Sequence, residues 1–150
     1  MPSRCSALAA LLGTAAIVLG AGCGEDQQEA FEEDFRPLNR ELVSLGEDVG
    51  RSIRGAERKT DAQLERQFDR LADQLGRLRR ELQGLEPPDD LAAIQDELAE
   101  AMRAAEQALR GIEEAAAASD PDAARQSTIE LVRASEDLRE ARRRLARETP

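Results

Sequence analysis

Residues 60–85, TDAQLERQFDRLADQLGRLRRELQGL, carry the most regular pattern in the chain. Their apolar side chains recur at alternating steps of four and three residues: Leu64, Phe68, Leu71, Leu75, Leu78, Leu82 and Leu85. This spacing places them on one face of an α-helix, as in coiled coils and helical bundles. Thr60 and Gln63 have the spacing of a capping box, so the sequence predicts a helix that begins there.

A second apolar series precedes this stretch and predicts an earlier helix. Its members are Phe31, Phe35, Leu38, Leu42, Leu45, Val49, Ile53 and Ala56. Pro37 suits the first turn of a helix better than its interior. We therefore expect the regular helix to begin near Arg36, with residues 31–35 as a separate turn.

The connection between these two segments has two interpretations. Each glycine inside a helix costs up to about 1 kcal/mol, which favours a turn near residues 56–60. The glycines concerned are Gly46, Gly50 and Gly55. The alternative is one continuous helix over residues 37–85, because the apolar series carries through Ala56 and Thr60 to Leu64 with little irregularity.

Two firm breaks divide the rest of the chain into two further helices. The first is Glu86-Pro87-Pro88-Asp89, and the second is Ser119-Asp120-Pro121, where Asp120 is suited to cap a helix. The third apolar series is Leu91, Ile94, Leu98, Ala101 or Met102, Ala105, Leu109, Ile112 and Ala116. The fourth is Ala124, Thr128, Leu131, Ser135, Leu138 and Leu145, with Ile129 and Val132 beside it.

These segments predict an all-α fold, an antiparallel up-down bundle of four helices. The alternative is a long first helix with two shorter helices packed along it. The many alanines of the third segment allow close helix approach but bury little area. We therefore expect modest stability, and a leftover apolar face could support a homodimer.

Composition excludes several classes of function. The chain has 31 Asp and Glu residues against 21 Lys and Arg, a net charge of −10, and no His, Trp or Tyr. An acidic chain without aromatic platforms is poorly suited to nucleic acid. Without His, the usual base and the di-metal bundle motif are lost. We therefore expect no enzyme activity, no catalytic residues, no metal site and no cofactor.

The first 22 residues are typical of a secretory signal peptide. Arg4 precedes eighteen uncharged residues, Cys5 to Gly22, and an acidic stretch follows Cys23. A retained transmembrane anchor is the alternative, although the run is slightly short for a membrane span. If Cys23 becomes the first mature residue, we expect residues 24–30 to form a polar tether and residues 31–150 to form the helical domain.

The sequence Leu19-Gly20-Ala21-Gly22-Cys23 resembles the lipobox of bacterial lipoproteins. Ala21 and Gly22 match the small residues of that motif, while Gly20 stands where the family usually has a large aliphatic residue. The resemblance implies cleavage before Cys23 and lipidation of its thiol. It also implies a location at the cell membrane, on the extracytoplasmic side, held by the lipid anchor.

Two charged clusters in the sequence are candidate binding sites. The acidic residues are Glu25, Asp26, Glu29, Glu32, Glu33 and Asp34, and the basic ones are Arg139, Arg142, Arg143, Arg144 and Arg147. We interpret the first as a solvated tether. In the second, Glu136 and Glu140 have the helical spacing to pair with Arg139, Arg143 or Arg144, which predicts a mixed face.

The function we expect is that of a non-catalytic interaction or structural module of the bacterial envelope. Its partners would be the membrane, through the lipid anchor on Cys23, and a protein partner or a second copy. One alternative is a bundle that takes a small apolar or cationic ligand between its helices. Another is a coiled-coil rod that projects from the membrane.

Overall fold

A computed structural model describes the backbone of residues 23–149 and the side chains of residues 26–149. This part of the chain holds four α-helices and no strand: α1 (Cys23–Arg54), α2 (Asp61–Gln83), α3 (Asp89–Ala117) and α4 (Pro121–Glu148). A short 3₁₀ turn, Ala56–Arg58, follows α1. The helices pack against one another, and the predicted four-helix all-α fold is confirmed.

The helices run alternately up and down. At one end of the bundle, the N-terminus of α1 lies beside the α2–α3 loop and the C-terminus of α4. There the Gln27 side chain donates to the carbonyl of Pro87 at 3.2 Å, and Gln28 donates to the carbonyl of Glu148 at 3.3 Å. Helix α3 packs closely along α2 and α4, whereas α1 approaches α2 less closely.

The alternative of one continuous helix over residues 37–85 is wrong, because the chain leaves the helix after Arg54 and re-enters it at Asp61. Gly55 and the 3₁₀ turn lie in this connection. The backbone N–H of Thr60 donates to the Gln63 side chain at 3.1 Å, which is half of the predicted capping box.

Helix α1 begins earlier than we expected. Residues 24–30, the expected tether, and residues 31–35, the expected separate turn, are both helical, and Pro37 lies inside α1. The side chains of Phe31 and Phe35 are buried, with ring centroids 5.9 Å apart. Burial of each aromatic side chain contributes about 1.5–3 kcal/mol, so the two together offset the cost of the helix proline, which is about 3 kcal/mol.

The predicted apolar series form most of the core. In α2 the buried members are Phe68, Leu71, Leu75, Leu78 and Leu82, and in α3 they include Leu91, Leu98, Met102, Ala105, Leu109 and Ile112. The series predicted for α4 needs correction. Leu131 and Leu145 are buried, but Ala124, Thr128, Ser135 and Leu138 are only half-buried, while Ala134 and Ala141 take core positions. The small residues let α4 pack close to α3.

Two glycines give a matched test of this packing. A Cβ added at Gly111 of α3 would lie 2.5 Å from Oγ and 3.1 Å from Cβ of Ser127 on α4, whereas one added at Gly46 of α1 would meet nothing within 4 Å. We expect Gly111→Ala to cost about 1–3 kcal/mol of unfolding free energy through overpacking. Gly46→Ala should instead add about 0.5–1 kcal/mol, because alanine is the better helix former.

Urea denaturation of both glycine variants measures these changes. Equal effects of the same sign would contradict the difference in free space beside the two glycines, which is small at Gly111 and large at Gly46.

Candidate functional site

An open groove runs between the C-terminal half of α1 and the facing part of α4. Its volume is about 670 Å³, and its apolar wall includes Leu42, Val49, Ile53, Leu131 and Leu138. The groove exists because α1 stands further from its neighbours here, so Val49, Ile53 and Leu138 remain half-buried. Gly46 and Gly50 also line it and bring no side chains to fill it.

Exposed valines stand on both banks of this groove. Val43 on α1 is 42% exposed, and Val132 on α4 is 50% exposed. Ile129, at 44%, lies one helical turn before Val132. These three are the exposed large apolar side chains of residues 26–149, and two of them border the same groove. Their position on facing banks makes the groove the candidate interaction surface of this part of the chain.

Five arginines border the groove, on both banks. Arg51 and Arg54 belong to α1, and Arg139, Arg142 and Arg143 belong to α4. Arg51 pairs with Asp48 and Glu47 of its own helix, and Arg142 donates to Oδ1 of Asn39 at 3.0 Å. Within the described side chains, Arg54, Arg139 and Arg143 have no carboxylate within 4.0 Å. A chain of net charge −10 thus presents a locally positive border.

The ion pairs that we expected along α4 are absent among the side chains of residues 26–149, so that expectation is wrong. Glu136 and Glu140 pair with neither Arg139 nor Arg143 nor Arg144. Arg144 turns to α3 instead and pairs with Glu97. The bundle therefore divides the basic cluster, with Arg144 used between helices and Arg139, Arg142 and Arg143 left at the groove.

Two further polar clusters link α2 to α3. Arg110 of α3 reaches Asp69 at 2.6 Å, Glu113 at 3.1 Å and also Asp73, and these hydrogen bonds, Asp69 first, raise the pKa of Arg110 above its ordinary value. Arg79 Nε lies 3.2 Å from Glu106 Oε2, and both side chains are largely buried. Within α3, the hydrogen bond from Arg103 lowers the pKa of Glu100, and both of these side chains are exposed.

Buried polar side chains are also accounted for by the fold. Gln95 of α3 donates to the carbonyls of Leu82 and Leu85, at the C-terminal end of α2 and just beyond it, so its buried amide is satisfied. Ser52 of α1 bonds the carbonyl of Asp48 at 2.7 Å and accepts from Gln67 of α2. Across residues 26–149, no buried side-chain polar atom lacks a partner, and no cluster of three metal-ligating side chains occurs.

The predicted lipidation residue, Cys23, is the first residue of α1, and its side chain lies outside the described part of the structure. The predicted signal peptide, residues 1–22, lies outside it as well. None of the helices between Cys23 and Glu148 is long and apolar enough to cross a membrane.

Sequence reasoning placed Ile129 and Val132 beside the α4 series but did not find the groove. The signal for it was weak: Val43 falls next to Leu42 in the α1 series, and two glycines follow within one face. The basic cluster visible in the sequence covers the groove arginines of α4 but not Arg51 and Arg54 of α1. When the chain is compared with protein-family models, with curated proteins and with solved structures, nothing matches.

Proposed function

We propose that this protein is a lipid-anchored module on the extracytoplasmic side of a bacterial membrane and acts by contact, without catalysis. The observation that carries this proposal is the apolar leader that ends in Gly22-Cys23 directly before an acidic helical domain. Lipid chains contribute about 0.8 kcal/mol per buried CH₂, so a diacylglyceryl group together with a further acyl chain would hold the protein stably.

The geometry of the bundle supports an upright placement on the membrane. Because Cys23 opens α1, an anchor there would bring the α2–α3 loop and the C-terminus of α4 to the membrane side as well. The groove residues of α1, 42–54, follow Cys23 by about 30–45 Å at the helical rise of 1.5 Å per residue. The candidate contact surface would therefore lie on the side of the bundle, well away from its membrane end.

The open form of the groove favours contact with a partner over enclosure of a small ligand. The centre of the bundle is filled, since Leu78, Leu82, Leu98, Met102 and Leu109 have no exposed surface. Ligand sites usually bury most of the ligand in a concave, preformed pocket. Exposed Val43 and Val132 at the edge instead resemble the border of a protein interface.

The anchor is tested by metabolic labelling with a clickable palmitate analogue in a bacterial host that expresses the full chain. We expect labelling of the wild type and complete loss of labelling in Cys23→Ala. The chain has two cysteines, so Cys5→Ala is a matched control, and it should keep the label because Cys5 lies in the predicted leader. Equal labelling of Cys23→Ala and the wild type would contradict the proposed anchor.

A further inference from the structure

We infer that the groove between α1 and α4 receives an amphipathic helix of a partner protein, one that carries acidic residues on both sides of its apolar stripe. This inference names the class of partner for the proposed contact function and in that sense rests on it. The binding geometry itself depends only on the groove and not on how the chain reaches the membrane.

The dimensions of the groove suit a helix. The α1 residues that line it span 42–54, which is about 18 Å or a little over three helical turns. Helices that dock in grooves use apolar anchors at positions i, i+3 or i+4, and i+7 over a similar length. Its apolar wall is lined by half-buried Val49, Ile53 and Leu138, which a docked apolar stripe would cover.

The distribution of the arginines indicates acidic groups on two sides of the occupant. Arg54 stands on one bank, and Arg139 and Arg143 stand on the other, whereas Arg51 is already paired with Asp48 and Glu47. A single-chain amphiphile has one anionic head and could pair with one bank only. An amphipathic helix instead presents acidic side chains on both sides of its apolar stripe and can address both banks.

A second copy of this chain fits the groove less well. In a two-fold symmetric dimer the same surface meets itself, so the arginine borders of two copies would face each other. Like charges across an interface are unfavourable and select against that pairing. An acidic helix brings the complementary sign, and arginine is among the residues most enriched at interface hot spots.

Fluorescence anisotropy with a synthetic helix tests the inference. The probe is a labelled peptide with leucines at i, i+4, i+7, i+11 and i+14, and glutamates at the positions flanking that stripe. The protein is the full chain in phosphatidylcholine nanodiscs, with empty nanodiscs as the blank, so the test is independent of lipidation at Cys23. We expect a Kd of roughly 100 μM or tighter.

Two peptide controls separate groove binding from simple charge attraction. A peptide of the same composition with a scrambled stripe should bind at least about tenfold more weakly, and so should a peptide with lysines in place of the glutamates; a tenfold change is the scale of one good contact. Equal binding of the patterned and scrambled peptides, or no binding of the patterned one, would overturn the inference.

Variants of the protein locate the site. Arg139→Glu with Arg143→Glu should weaken binding of the glutamate peptide at least about tenfold and improve binding of the lysine peptide. Arg66→Glu with Arg70→Glu is the matched control, because these arginines have the same spacing, are exposed on α2 and do not line the groove. Gly46→Leu should also weaken binding, since a Cβ there has free space and the side chain would occupy the groove.

Two other occupants would be revealed by the same samples. If dodecyl sulfonate displaced the peptide saturably, and did not do so in the variant with Arg139→Glu and Arg143→Glu, the groove would be assigned to a small anionic amphiphile. If each nanodisc held two chains, and only one in the variant with Arg139→Glu and Arg143→Glu, the groove would be assigned to a second copy of the chain. Either result would replace the acidic helix as the occupant. If the wild-type chain took up no palmitate label but still bound the peptide, only the proposed lipid anchor would be contradicted.

Discussion

Phe68→Ala is expected to lower the free energy of unfolding by about 3–5 kcal/mol, the range for removal of a large aromatic side chain from a packed core. Phe68 is 2% exposed and lies on α2, the helix with the most regular apolar series. The loss combines the transfer of the ring to water with the cavity left among the neighbouring helices. Total stabilities of small domains are about 5–15 kcal/mol, so this variant should be near the limit of folding.

Urea denaturation followed by circular dichroism measures this change. A chain beginning at Gly24 is suitable, because the buried core identified in the described structure lies between Phe31 and Leu145. Val132→Ala is the control; its side chain is 50% exposed, and we expect a change within about 0.5 kcal/mol. A loss below about 1 kcal/mol in Phe68→Ala would mean that the ring is not packed in a core.

Pro37→Ala is expected to raise the free energy of unfolding by about 1–3 kcal/mol. Pro37 lies inside α1, fourteen residues after its first residue, and is exposed. A proline in a helix interior removes one backbone hydrogen bond and crowds the preceding turn, at a cost of about 3 kcal/mol. Alanine restores the donor for the carbonyl of Glu33 and loses no core contact.

The same denaturation experiment distinguishes two starting points for α1. If the helix begins near Arg36, as the sequence alone suggests, Pro37 occupies the first turn, where proline is favourable. In that case Pro37→Ala would be neutral or destabilising, which would contradict a helix that begins at Cys23. Arg40→Ala, one turn later at an exposed position, controls for the general effect of alanine on α1.

The number and order of the helices could be predicted from the sequence because each helix carries its own periodic signal. The seven apolar positions of residues 60–85 leave a single face for burial, and Pro88 and Pro121 mark the starts of α3 and α4. The start of α1 could not be predicted in this way. Local preference at Pro37 favours a later start, while the packing of Phe31 and Phe35 is a tertiary effect that overrides it.

Periodicity revealed only part of the core face of α4, because it predicted the buried Leu131 and Leu145 but not Ala134 and Ala141. Leu131, Ala134, Leu138, Ala141 and Leu145 follow steps of three and four, but alanines are weak markers of a buried face. Their burial depends on the close approach of α3, which residue spacing within α4 does not reveal. Similarly, Arg144 pairs with Glu97 of α3 and not with Glu140 of its own helix, because the packing of the bundle brings Glu97 close to it.

The groove is a property of two helices that are far apart in sequence. Neither Val43 nor Val132 identifies it alone, since scattered exposed apolar residues are normal. Only the placement of α1 against α4 collects them with the arginines of both banks. For the same reason, a local motif is enough to propose lipidation at Cys23, whereas the candidate contact surface is visible only in the fold.

The intact mass of the membrane-bound protein, isolated from a bacterial host that expresses the full chain, tests the central proposal most directly. We expect a mass that lacks residues 1–22 and carries lipid on Cys23, and we expect both changes to disappear in Cys23→Ala. An uncleaved and unlipidated mass in the membrane fraction would contradict it. Residues 5–22 would then be a retained membrane anchor, and Cys23 an ordinary cysteine.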